Sequence, residues 1–366
     1  MDAEGMPGLD IQSDLYDILC YSFSTTVIRS ELEFLTKKIS RTAVAVVGDF
    51  CLDAYWFFDH SAAETSVETG LTTRPVARQR YTAGGAGNVV NNLRSLGVET
   101  IIPIGVIGDD PFGHHLRSLL SGEHIDLSGL LVQHEGWHTH VYAKPHTNDV
   151  EEQRIDFGNF NRLDGSTARA LTEEVRRAVS RTRCIIINEQ VYQGIHASAQ
   201  FQQALQEIIL DSPNVTFMLD SRHMSDRYRG TTRKVNDTDA AGILGVPRTQ
   251  EGRSGKREAL NFAEALFKRW SAPVIITRGD QGCVGCDETG AWSVPGIPAH
   301  GPTDPVGAGD SLVAAVGAAL AAGSTLRLGT ELGVLAAAVT VRKLHQTGTA
   351  SPDELLNLLH THDDGP

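Results

Sequence analysis

The segment Pro302-Thr303-Asp304-Pro305-Val306-Gly307-Ala308-Gly309-Asp310 runs directly into an apolar, small-residue stretch that ends near Gly323. Glycine lets the backbone turn tightly, so successive N–H groups converge where a helix begins. Those donors and the positive end of the helix dipole make a hole for an anion such as a phosphoryl group in transit. A carboxylate at Asp310 is badly placed beside phosphate unless its task is to take a proton from an attacking hydroxyl. On that reading Asp310 is a general base, and Gly307, Ala308 and Gly309 shape the anion hole. A glycine-rich turn ahead of a packed helix is the plainer account, and a lone Gly-x-Gly carries little weight against it. The aspartates at both ends and the position before a helix favour the chemical reading.

A second glycine-rich stretch, Ala83-Gly84-Gly85-Ala86-Gly87-Asn88, opens a helical pattern over Asn88–Leu96. Such backbone can approach a ligand closely, and Asn88 can both donate and accept. Taken alone, a structural turn explains it equally well. Competing nucleotide motifs fail. Leu312 stands where a dinucleotide fingerprint needs its third glycine, and Gln250 stands where a Walker A loop ending in Gly255-Lys256 needs its first.

These loops need a scaffold, and the rest of the chain supplies one. Apolar runs over Ala43–Gly48, Ile101–Gly108, Cys184–Asn188, Val215–Asp220 and Pro273–Gly279 are continuous rather than alternating, as in strands covered on both faces. Helical patterns lie between them: Asn88–Leu96, Phe112–Ser121, Ser166–Ser180, Ala197–Leu210 and Lys256–Trp270. The alternation predicts an α/β fold, a mostly parallel sheet sandwiched by helices. Asp49, Asp109, Asn188, Asp220 and Arg278 end these strands, at the edge where open α/β sheets bind ligands. Thr72–Tyr81 and Thr139–Lys144 alternate apolar and polar residues, which predicts a small β lid formed by segments near 64–82 and 138–146. Leu15–Ile39 carries apolar residues at helical spacing, and Ser30 with Glu33 has capping-box spacing, so a helix should start near Glu31. The chain divides into a helical extension (1–40), one catalytic domain (41–356) and a tail (357–366).

Composition limits the partners. With 45 acidic and 32 basic residues the net charge is −13, which repels nucleic acid and anionic membrane. No apolar stretch is long enough to span a bilayer, and the acidic first ten residues have no basic region of the secretory kind. Five cysteines, odd and sparse in 366 residues, argue against a disulfide scaffold and for a reduced, cytoplasmic protein.

Together the two glycine motifs resemble the two signatures of the PfkB carbohydrate kinase family, in particular its heptose-7-phosphate kinase branch. Similar features are Val47-Gly48-Asp49-Phe50-Cys51-Leu52-Asp53-Ala54-Tyr55-Trp56, Gly84–Asn88, Asp220 with Asp226-Arg227-Tyr228-Arg229-Gly230, Thr277-Arg278-Gly279-Asp280-Gln281-Gly282, and Asp304–Asp310. The resemblance covers roughly residues 41 to 356, and implies a ribokinase-like three-layer α/β/α sandwich. It implies that Asp53, Gly84, Gly85 and Asn88 hydrogen-bond sugar hydroxyls, and that Thr277, Gly279 and Gly282 line the phosphates of ATP. Asp310 would be the base, with the amides of Ala308, Gly309 and Asp310 near the phosphoryl group. Magnesium (Mg2+) would accompany ATP through phosphates and water rather than in a protein cage, and a monovalent cation near the anion hole is left open. The chain ends soon after the last kinase-like helix, without the nucleotidyltransferase half fused to some of these kinases.

Departures accompany the likeness. The family's Asn-x-x-Glu element aligns with Asn236-Asp237-Thr238-Asp239, so Asp239 offers the metal a carboxylate one methylene shorter, reaching it through water. Pro305 stands where threonine is usual, and the lid departs from the heptose kinase pattern. Cys283-x-x-Cys286 has no second pair to complete a zinc site, and on a strand its cysteines point to opposite faces. His134, His138, His140 and His146 read as surface histidines of loops and lid, and Glu151–Arg154 with Asp156 as a solvated turn. Lys144 or Arg154 could still reach the phosphate of an already phosphorylated sugar. Arg169, Arg176 and Arg177 read as an ordinary exposed helix face.

Two rivals to a sugar kinase remain. A nucleoside or small-alcohol kinase of the same fold would want a base-stacking aromatic, which Thr72–Arg80 lacks. A non-catalytic sugar or nucleotide sensor would gain nothing from Asp310. The N-terminal helices could form a homodimer surface or pack back on their own chain.

Overall fold

The computed structural model describes residues 30–148, 150–247, 254–344 and 346–363. The chain begins with α1 (30–39), β1 (Ala43–Gly48), β2 (Phe50–Phe58), β3 (Val76–Gly85) and α2 (Ala86–Ser95). Next come β4 (Thr100–Gly108), α3 (Pro111–Leu120), β5 (Leu130–Gln133), β6 (His140–Thr147), β7 (Val150–Glu151) and β8 (Ile155–Phe157). The middle holds α4 (Gly165–Val179), β9 (Cys184–Glu189), α5 (Ala199–Asp211), β10 (Thr216–Ser221), β11 (Thr232–Asn236), α6 (Asp237–Ile243) and α7 (Lys256–Trp270). It closes with β12 (Val274–Thr277), β13 (Cys283–Asp287), β14 (Gly290–Val294), α8 (Ala308–Ala321), α9 (Leu326–Thr340) and α10 (Pro352–Asp363).

The large sheet runs β14-β13-β12-β11-β10-β9-β1-β4-β5. It is parallel from β12 to β5, and β13 and β14 pair antiparallel at the edge. Alternate residues of one strand feed opposite cores. Val44 and Val46 of β1 pack with α1, α2, α8 and α9, whereas Ala45 and Val47 pack with α4 and α5. Helices α6 and α7 cover the β11–β13 end of that second face. These are the expected three layers, built because each strand is apolar on both sides.

Helix α8 is apolar nearly all round and buried from Ser311 to Ala321 apart from Leu320. A helix of that kind survives only inside a protein, and α8 lies between the sheet, α2 and α9. Its first residue is therefore fixed from several sides, which a catalytic loop needs.

The lid is larger than the alternating segments suggest. Its sheet runs β3-β2-β6-β7, with β8 also on β6. The strand β2 was not anticipated: the apolar run of β1 ends at Gly48, and a single residue, Asp49, separates it from β2. The expected strand over Thr72–Tyr81 begins only at Val76: Pro75 lacks an N–H, and 64–75 forms a loop closed by a Thr65–Thr72 bridge. The second lid segment, near 138–146, corresponds to β6. Leu32, Leu35 and Ile39 of α1 are buried in the α8–α9 core, so the described end of the N-terminal extension packs on its own chain. Residues 1–29 lie outside the described residues.

Candidate active site

The chain order runs outward from β1 to β4 and β5 on one side and to β9 on the other, so the sheet reverses direction beside β1. Ligand crevices form at such reversals, at the carboxyl ends of the strands. Here β1 leads straight into the lid, and α2 returns from it. The two glycine motifs meet in this place.

Asp310, in the first turn of α8, accepts a 2.6 Å hydrogen bond from Asn88 Nδ2. Burial pushes its pKa up to about 6; the Asn88 bond and Lys234 oppose that, while Asp220 and Asp53 add to it. Asn88, expected to hold a sugar hydroxyl, thus has its amide on the carboxylate. Its orientation is relayed through the helix: Ser311 Oγ donates to Asn92 Oδ1, and Asn92 Nδ2 donates to Asn88 Oδ1. Residues four apart on a helix share a face, which is why Asn92 reaches Asn88. Asn92 and Ser311 were not anticipated; a second asparagine one turn after Asn88 was the available signal.

Gly307 caps α8 with φ of 82°, and a Cβ there would stand 3.0 Å from Asn88 Nδ2 and 2.8 Å from a Thr347 methyl. The expected anion hole narrows. Ala308 N–H is bonded to Pro305 O at 3.2 Å, which leaves the N–H groups of Gly309 and Asp310 without an acceptor among the described residues. The first amides of any helix lack partners within it.

The 304–309 loop is a wall between two clefts. Pro305, Ala308 and Gly309 face a cavity of about 500 Å³ that also takes in Thr277, Gly279 and Gly282, the three residues expected beside ATP phosphates, together with apolar Leu312, Val334 and Val341. Asp304 and Val306 face a cavity of about 610 Å³ beneath the lid, lined by Tyr55, Phe57, Arg78, Arg80, Lys144 and His146.

Asp53 lies on this lid face, held by Lys144 Nζ at 2.8 Å. Its carboxylate fits because Gly84, on the neighbouring strand, has no side chain; a Cβ there would stand 2.8 Å from Asp53 Oδ2. Gly85 turns the chain from β3 into α2 with φ of 55°, and its missing Cβ would stand 2.5 Å from Asp49 O. Gly85→Ala should therefore lose at least about 2 kcal/mol of stability, read by urea unfolding.

Several expectations shift. Of the strand-end residues, Asp220 joins the site through Lys234, to which it is bonded at 2.9 Å. Asp49 instead accepts three backbone N–H groups, from Gln190, Val191 and Ile195, and burial, opposed by those bonds, raises its pKa to about 7. Asn236, expected beside ATP, pairs with Thr277 at the ends of β11 and β12, and its Oδ1 caps α6 by accepting from Asp239 N at 2.7 Å. Asp239 lines a separate cavity of about 430 Å³ with Arg222, and burial raises its pKa against the pull of Lys234.

Lys144 and Arg154, considered for a substrate phosphate, are paired with Asp53 and Asp156, and Lys144 lines the lid cleft together with Arg78 and Arg80. Aromatic rings do reach the lid, from β2 rather than from 72–80, but guanidinium groups already cover them: Arg78 over Phe57 at 3.8 Å and Arg80 over Tyr55 at 4.2 Å. His140 is buried, not a surface residue; its Nε2 meets Asn161 Nδ2 at 3.2 Å, and burial lowers its pKa to about 4. Cys283 and Cys286 do face opposite cores, and no group of three metal-ligating side chains occurs among the described residues.

Residues 41–354 match the pfkB family carbohydrate kinase. The chain belongs to that family. This pfkB-family chain is 26% identical over 325 residues to the bifunctional protein HldE of Coxiella burnetii (strain RSA 493 / Nine Mile phase I), an alignment covering 87% of this chain and 64% of that protein. It is 29% identical over 335 residues to HldE of Methylococcus capsulatus, with 88% and 64% covered. It thus spans about 64% of the length of these curated relatives. Among solved structures it is similar to phosphofructokinase-2 from Escherichia coli in complex with fructose-6-phosphate: TM-score 0.65, 18% identity, 88% of this chain and 99% of that one. It is similar also to Arabidopsis thaliana ribokinase complexed with ribose and ATP: TM-score 0.64, 16% identity, 87% and 99% covered. These likenesses show the ribokinase-like fold. No helix among the described residues is long and apolar enough to cross a membrane.

Proposed function

We propose that this chain transfers the γ-phosphoryl group of ATP to a hydroxyl of a sugar phosphate, with Asp310 as the base. One observation carries the reading: the Asp304–Gly309 wall separates a glycine-lined cleft from a cationic one, and Asp310 stands at its end. ATP enters the first cleft with its phosphates toward Thr277, Gly279, Gly282 and the amides of Gly309 and Asp310. The acceptor enters the second, oriented by Asp53 and by the backbone at Gly84 and Gly85, with its own phosphate toward Arg78 and Arg80.

Asp310 then takes the hydroxyl proton, the acceptor oxygen bonds to the γ-phosphorus, and the bond to the bridging oxygen breaks with its electrons leaving on ADP. Its carboxylate is held against Asn88, so the oxygen not bonded there is available to the hydroxyl. The two helix amides meet the charge on the phosphoryl oxygens, where fixed donors act without reorganising. Asp239 lines a cavity separate from the proposed ATP cleft, so its contact to a magnesium ion on the phosphates would run through water. When bound, that ion would neutralise phosphate charge.

The test is ADP release from Mg-ATP against a panel of hexoses, pentoses, hexose 6-phosphates, heptose 7-phosphates and nucleosides. Turnover should be greatest with a phosphorylated sugar. Turnover with free sugars or nucleosides alone would refute the phosphorylated acceptor, and binding without turnover on any of them would refute the kinase.

A further inference from the structure

Lys234 on β11 and Asp220 on β10 pair in register at the carboxyl ends of adjacent parallel strands. The Lys234 ammonium donates to Asp220 Oδ1 at 2.9 Å, and both side chains are largely shielded, at 14% and 7% exposure. An ammonium has three N–H donors, and taking it out of water is costly unless they are met. Among the described residues Asp220 is the acceptor it has. The space beside it is the start of α8. A Cβ at Gly309 would stand 3.4 Å from Lys234 Nζ, and Gly309 also carries one of the two unpartnered amides. Glycine at 309 therefore leaves a gap with an ammonium on one side and helix N–H groups on the other, in the wall of the nucleotide cleft.

We propose that Lys234 is a catalytic residue that donates to an oxygen of the γ-phosphoryl group of bound ATP. The inference rests on the kinase reading above and adds a side-chain cation to its anion hole. Asp220 holds the ammonium in place, so the cation meets the charge of the transferring group without reorganising. The competing account is that Lys234 only neutralises Asp220.

The two accounts separate in nucleotide binding, which needs no acceptor. Affinities of the magnesium complexes of ADP and of the β,γ-imido analogue of ATP are measured by calorimetry. The wild-type chain should prefer the triphosphate analogue, and Lys234→Met should lower that preference at least about tenfold, with ADP affinity little changed. Lys234→Met/Asp220→Asn removes both charges and leaves no lone buried carboxylate, so it serves should the single variant fail to fold. It should show the same lost preference. A preference retained in both variants, or regained in the double one, overturns the assignment and leaves Lys234 as the partner of Asp220. Equal wild-type affinities overturn it too, and a wild-type chain that binds neither nucleotide overturns the kinase reading with it.

Discussion

Asp310→Asn is expected to lower kcat at least about a hundredfold while leaving the fold and the affinity for ATP close to wild type. The amide has the shape of the carboxylate but cannot take the hydroxyl proton. Stability should not fall. A carboxylate whose pKa is raised by burial to about 6 binds more protons folded than unfolded between about pH 4 and 6. Its ionisation therefore weakens the fold as pH rises through that window. Replacing it with a neutral group removes this cost, so at pH 7.5 the variant should melt at or above the wild-type temperature. The same ionisation sets the pH profile. Only the carboxylate is a base, so wild-type kcat/KM should reach half its plateau near pH 6 and fall about tenfold per unit below it. Full activity in the variant, or a rate unchanged down to pH 5, would remove Asp310 from the base role.

Arg78→Met/Arg80→Met should raise KM for a phosphorylated acceptor at least about a hundredfold while changing kcat and the KM for ATP by less than about threefold. Each guanidinium can give phosphate a charge-assisted hydrogen bond worth about 1.5 kcal/mol or more, so two account for about a factor of 100. Methionine keeps the length of the side chain over Phe57 and Tyr55, so the lid retains most of its packing. Any unphosphorylated sugar that turns over should be almost indifferent to the change. If phosphorylated and free sugars suffered alike, the arginines would be serving the lid rather than a phosphate.

Much of this molecule was legible in one dimension because local rules set it. The continuous apolar runs of β1, β4, β9, β10 and β12 and the helices between them follow from strands that must be covered on both faces. The start of α8 is marked by glycine and the carboxylate beside it. Even the opposed faces of Cys283 and Cys286 follow from the two-residue period of a strand.

Other features depend on residues far apart in sequence, and only packing brought them together. Asn88 and Asp310 are 222 positions apart, and their 2.6 Å bond exists because α2 and α8 lie side by side. Lys234 sits among polar neighbours in Thr232-Arg233-Lys234-Val235-Asn236, which reads as exposed chain rather than a buried strand. Pairing of β11 with β10 puts it against Asp220. The cationic lid cleft likewise requires β2 between β3 and β6, so that alternate residues of three strands gather on one face. Sequence periodicity says which side of its own strand a residue occupies; which strands become neighbours is decided by long-range burial, and with it which charges meet.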